Sequence, residues 1–220
     1  MFEGIERLSL SEDWITIILL LTLVLIAILK FSYNERFDKL FSLSYSDKYF
    51  TNYSKSKPLI FNTFHLLFFF IINFNISLLI YYAIKAFDPS RIPNDFSFFI
   101  QIVLILLLYF LLRYLIGYLL SIVFSLLEEQ SHITLLKISN LAYVSVLFFP
   151  LLILINYSSL ALHKILITFS LTIALILLFT RYYSILKNLK LNFNSFFYIF
   201  LYICALELAP ILVIYKIFLD

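Results

Sequence analysis

FFIQIVLILLLYFLLRYLIGYLL, residues 98–120, holds a single charged residue, Arg113. A helix needs about 20 mostly apolar residues to cross the hydrocarbon core of a bilayer. Spanning backbone must satisfy its own hydrogen bonds, so the stretch predicts a transmembrane α-helix with a cation inside it. An ionisable side chain at that depth is costly and is kept for a reason.

The whole chain reads the same way. Of its 220 residues 63% are hydrophobic and 13% are charged, against about 25% charged in a soluble domain. These values predict one integral membrane domain over residues 1–220 with no sizeable soluble part. Six segments have the length and character of spans, roughly 14–31, 59–84, 97–126, 138–157, 161–180 and 194–217. The expected fold is all-α, a polytopic membrane helical bundle. Lys137, Asn140 and Pro150 interrupt or flank the fourth segment, so a five-span variant with a re-entrant 138–157 is the alternative. The N-terminal MFEGIERLSLSEDW is acidic where a secretory signal would be basic, so 14–31 reads as a retained helix.

Basic residues orient the spans. The loop at 32–58 and its edges hold Lys30, Arg36, Lys39, Lys48, Lys55 and Lys57, and the fifth loop holds Arg181, Lys187 and Lys190. By the positive-inside rule both are cytoplasmic and both termini lie outside. The first loop also carries Phe37, Phe41, Tyr45, Tyr49, Phe50 and Tyr53 at near-helical spacing. That pattern fits an interfacial helix on anionic lipid or a solvated basic loop with aromatic anchors.

Glu207 is the other charge that this topology leaves inside the membrane. Counting from the start of each span puts Arg113 and Glu207 near the midplane, and an ion pair between them is the economical expectation. Tyr109 and Gly117 lie four residues to either side of Arg113 on its helix face. The glycine allows close helix approach, and the tyrosine hydroxyl can bond either charge. Pro150 and Pro210 each remove one backbone donor and loosen their helices. In the second span Asn62, His65, Asn73 and Ser77 fall within about 120° of one another at about 100° per residue, while Asn75 points elsewhere. This stripe should face protein, with His65 in an interhelical hydrogen bond. Adjacent Glu128 and Glu129 read as a solvated inner end of the third span.

The sequence has no nucleotide-binding glycine loop, HExxH or serine elbow. Its one cysteine, Cys204, excludes an intramolecular disulfide and a cysteine-based metal cluster. The reading is therefore a protein without catalytic residues, metal or cofactor, and without the basic run that nucleic acid would need.

The closing run FYIFLYICALELAPILVIYK, residues 197–216, resembles the C-terminal signature of an uncharacterised multi-pass family of Bacteroidota inner-membrane proteins. That resemblance implies the bacterial inner membrane and no particular activity. KISNLAYVSVLFFPLLIL, residues 137–154, with Tyr143 and Pro150, is similar to the corresponding helix of Yip1-type membrane proteins, which implies a role in membrane organisation. The expected function is a non-enzymatic scaffold or accessory subunit of a cell-envelope complex. Its partners would be the bilayer and a membrane protein or further copies of this chain. The alternative is a small transporter or channel using Arg113 and Glu207.

Overall fold

The computed structural model describes residues 13–42, 63–87, 95–125, 127–158, 164–174 and 176–177. Among these the protein is all helix: α1 Asp13–Ser32, α2 Asn34–Ser42, α3 Thr63–Phe87, α4 Asp95–Val123, α5 Leu127–Tyr157 and the short α6 Lys164–Ala174. Four of them, α1, α3, α4 and α5 from Lys137 onward, are long and apolar enough to cross a membrane. They make the chain a membrane protein. The expected sixth span at 194–217, with Cys204, Glu207 and Pro210, lies outside the described residues, as do Asn62 and the loop from 43 to 62.

Helix is the only local structure open to these apolar runs in lipid, and their ends carry suitable charges. Asp13 sits in the first turn of α1, and Lys30 and Lys85 sit in the last turns of α1 and α3. Each opposes the partial charge of the helix end beside it.

The four long helices run alternately up and down. Trp14, at the start of α1, packs on Tyr81 near the end of α3 and on Phe96 and Phe99 at the start of α4, with ring centroids 5.3, 5.6 and 5.0 Å away. Tyr82 Oη donates to Asn156 Oδ1 at 3.0 Å, which brings the end of α5 to the same place. This is the Trp14 end of the bundle. A cluster of Ile15, Leu19, Leu78, Tyr81, Tyr82, Phe99, Leu152 and Ile155 fills it, with Ile167 of α6. A second cluster, Leu29, Phe37, Leu40, Phe64, Phe68, Ile71, Ile72 and Ala142, fills the opposite, α2 end.

α2 follows α1 after the single residue Tyr33, whose amide donates to Leu29 and whose carbonyl accepts from Phe37, at 2.9 Å each. The loop reading foresaw a helix here lying on lipid or a solvated segment. Instead Phe37 and Leu40 are buried in the protein, Phe37 stacked on Phe68 at 6.2 Å. Phe37 and Leu40 of α2 find the open ends of α1, α3 and α5 before they can find lipid. Lys30 bonds Asp38 and lies over the Phe37 ring at 5.4 Å, fastening the elbow.

α5 corrects two expectations. It starts about ten residues before its apolar part and continues through Pro150 to Tyr157, so 138–157 is the second half of one long helix rather than a re-entrant piece. Pro150 is exposed on its surface. Glu128 and Glu129, expected at the end of the third span, stand in the first turn of α5. The polarity of LEEQSHITLLK disguised a segment made mostly of good helix formers. The turn between α4 and α5 is short, with Ser125 at φ 56° and its amide donating to Ile122 at 3.2 Å.

Candidate functional site

α3 and α5 form the middle of the bundle: half of each span is buried, against 22% for α1 and 11% for α4. α3 touches α1, α4 and α5, so it presents no broad face to lipid. That explains how it carries three polar residues, Asn73, Asn75 and Ser77, at 1%, 2% and 0% exposure.

The two asparagines reach opposite neighbours. Asn75 Nδ2 donates to Ser145 Oγ at 2.9 Å and to the Ser145 carbonyl at 3.1 Å on α5. Ser145 Oγ in turn lies 3.5 Å from the Ile71 carbonyl. Asn73 Nδ2 donates to the Val103 carbonyl of α4 at the longer distance of 3.4 Å. Two residues apart on a helix means about 200° of rotation at about 100° per residue, so one short motif binds α3 to helices on both sides. Asn73 Oδ1, Asn75 Oδ1 and Ser77 Oγ have no partner among the described residues.

Asn73, Asn75 and Ser145 form a layer at one depth, with Ser77 about one turn away towards the Trp14 end. Trp14 meets Tyr81; Thr22 lies eight residues further along α1, and Asn73 lies eight residues back along antiparallel α3. Both steps are about 12 Å at about 1.5 Å per residue, so Thr22, buried at 0%, is level with Asn73. Its hydroxyl donates to its own helix at the Leu19 carbonyl, 2.8 Å away. Continuing about 12 Å the other way reaches Lys30 on α1, His65 on α3 and, from Ser145, Lys137 on α5. The layer is thus midway between an aromatic belt and a basic ring, each nearly half of a hydrocarbon core about 30 Å thick away.

Arg113 stands at a different level. It lies ten residues beyond Val103, about 15 Å along α4 from the amide layer, at the level of the basic ring. Counting from the start of its span had put it close to the midplane. The discrepancy arises because α4 overshoots: it continues past the ends of α1 and α3 to Val123 before turning. Arg113 Nη1 lies 3.5 Å from Tyr109 Oη, one turn earlier. Phe110 packs on Phe69 of α3 at 5.8 Å. Gly117 is buried on α4 one turn beyond Arg113. The expected partner Glu207 is outside the described residues, and Pro210 with it.

The remaining expected residues separate. His65 is half-buried near the α2 end, within electrostatic range of Arg36, with its ring 5.4 Å from Phe64. Tyr143 packs beside the α2-end cluster. Sequence reasoning missed the Tyr82–Asn156 bond, the aromatic packing of Trp14 and the role of Ser145. A tryptophan at a span end and a tyrosine pair before Lys85 were the available signals for the belt. Among the described residues no group of His, Cys, Asp and Glu could hold a metal ion.

This architecture, alternating spans locked by a mid-depth amide layer, defines a polytopic helical membrane protein. The chain belongs to the family described as domain of unknown function DUF4271, whose model matches residues 15–218. No match is found among curated proteins or solved structures.

Proposed function

We propose that the protein is a non-enzymatic scaffold or accessory subunit of a cell-envelope complex. It would sit in the bacterial inner membrane, the setting that the Bacteroidota resemblance of its C-terminal run implies, with both termini outside and the α2 end in the cytoplasm. The likeness of 137–154 to Yip1-type proteins points towards membrane organisation as well. The observation that carries the proposal is α4. Beyond Arg113 its apolar residues stay exposed, Leu115, Leu119, Ile122 and Val123 at 45%, 60%, 49% and 74%. Lipid tails cover such a face inside the hydrocarbon core, but these residues lie beyond the level of the basic ring. A contiguous apolar face in that position fits a protein partner.

Mild-detergent purification at native expression, with mass spectrometry and sizing, tests this. A stoichiometric complex that is lost in Leu119→Lys with Ile122→Lys supports the proposal. A homogeneous single chain in the wild type contradicts it.

A transporter or channel is the second reading, favoured by the three unpartnered oxygens at mid-depth. In that reading Arg113 and Glu207 bind or gate the solute. The charge-swapped chain, Arg113→Glu with Glu207→Arg, discriminates. Restored folding and activity mark a structural pair, whereas a folded but inactive protein marks a transport site.

A further inference from the structure

Three contacts fix the seam between α3 and α4. Phe69 packs on Phe110 with ring centroids 5.8 Å apart, Asn73 Nδ2 donates to the Val103 carbonyl at 3.4 Å, and Tyr81 packs on Phe99 at 6.5 Å. Ser77 lies four residues from both Asn73 and Tyr81, so it stands on the same helix face between them. Trp14 of α1 covers the end of the seam, 5.3 Å from Tyr81 and 5.0 Å from Phe99. Lys85, one turn beyond, donates to Tyr81 Oη at 3.3 Å and carries the polar stripe into the last turn of α3.

Three polar atoms along this seam are buried with no hydrogen-bond partner among the described residues: Asn73 Oδ1, Ser77 Oγ and Trp14 Nε1. Asn73 and Ser77 are 1% and 0% exposed. Leaving such groups unbonded is costly, and lipid tails have no hydrogen bond to give. We infer that a single file of water molecules binds in this seam, entering at the Trp14 end and stopping at mid-depth on Asn73. The chemistry of the three groups selects the ligand. The indole donates, the amide oxygen accepts and the hydroxyl does both. All three are neutral, and water is the smallest molecule that answers each of them. The Cβ atoms of Asn73 and Ser77, one turn apart, are separated by about 5 to 6 Å, a gap that one water bridges. Buried waters bond in this way to polar groups that otherwise lack partners. On the far side of Asn73 the same face continues as Phe69, edge-to-face on Phe110 at 73°, which offers no bond and closes the file. The mid-depth layer is thus hydrated from one side of the membrane. The inference needs neither the protein partner of the scaffold reading nor the solute of the transporter reading, and its test reads water alone.

The full chain, isotopically labelled and reconstituted in phosphatidylcholine bilayers, is the sample, and solid-state NMR measures magnetisation transfer from water to individual side chains. Trp14 is the only tryptophan of the sequence, so its indole N–H gives a single signal. At short mixing times transfer is expected at Trp14 Nε1, Ser77 and Asn73, and not at Phe68 or Phe69. Ser77→Val removes the middle hydroxyl and should abolish transfer at Asn73 while leaving it at Trp14. Transfer at Ser77 and Asn73 no faster than at the fully buried Phe68 overturns the inference. That result is read on the wild type alone, so the test stands where the variant does not fold. Transfer at Asn73 unchanged by Ser77→Val also overturns it, as does transfer at Phe69 as fast as at Ser77, because the file would then not stop at Asn73.

Discussion

α3 and α4 cross the same bundle side by side with nearly the same apolar character, and they do opposite things. α3 buries half of its span and carries its polar residues at mid-depth. α4 buries 11% of its span and carries Arg113 about 15 Å along its axis from the amide layer. In lipid, apolar side chains gain little by leaving the hydrocarbon for another helix. Polar groups and close packing therefore decide which helices stay together. α3 has amides aimed at two neighbours, Ser145 of α5 and Val103 of α4, and on the α4 side the bond is the longer one, to a backbone carbonyl. The lesson is that apolarity puts a helix in the membrane, while the position of a few polar atoms determines its place in the bundle.

Packing gives the largest expected contrast. Phe68 of α3 is fully buried, while Leu108 of α4 is 56% exposed. Phe68→Ala should cost about 2 to 4 kcal/mol, below the upper end of the soluble-protein range because lipid tails also solvate the ring. Leu108→Ala should stay within about 0.5 kcal/mol. Chemical unfolding in mixed micelles reads both, and similar values for the two would remove the distinction between the helices.

The amide layer predicts a smaller and asymmetric effect. Asn75→Leu removes two hydrogen bonds to Ser145 and should destabilise by about 1 kcal/mol, with a coupling of about 0.6 kcal/mol to Ser145→Ala in a double-mutant cycle. Asn73→Leu gives up one long bond and an unpartnered oxygen, so its effect should be near zero. A larger loss at Asn73 than at Asn75 would mean that α4, not α5, is the helix α3 depends on.

The mildest change concerns the turn that ends the overshoot of α4. Ser125 has a left-handed backbone, which glycine adopts without the steric cost of a Cβ. Ser125→Gly should stabilise by about 0.5 kcal/mol, measured by the same unfolding titration, and a loss of stability would contradict the hairpin geometry.

Much of this was legible in the sequence. Apolar runs located α1, α3, α4 and the apolar half of α5, because lipid leaves such runs no choice but helix. The polar motif of α3 was visible as well, and the rotation of Asn75 away from Asn73 followed from helical period alone. What a single helical wheel could not supply was the number of neighbours. It implied one protein-facing side, whereas α3 is surrounded on three, and the better-bonded asparagine is the one outside the predicted stripe. The level of Arg113 relative to the other helices was not legible for a related reason. Depth is set by where the other helices stop, and a residue count along α4 does not contain that information. The helical start of α5 was hidden by polar composition, since hydropathy reports lipid contact and not helicity.

The placement of the amide layer at mid-depth and of Arg113 nearer the headgroups is open to direct measurement. Spin labels at Leu104 and Leu112, both exposed on α4 at 59% and 47%, measure this without disturbing the packed core. Their relative collision rates with oxygen and with a polar nickel chelate report depth in a reconstituted bilayer. The expected result is a ratio near its maximum at Leu104, level with Asn73, and a marked fall at Leu112, next to Arg113. A ratio higher at Leu112 than at Leu104 would return Arg113 to the middle of the membrane and contradict it.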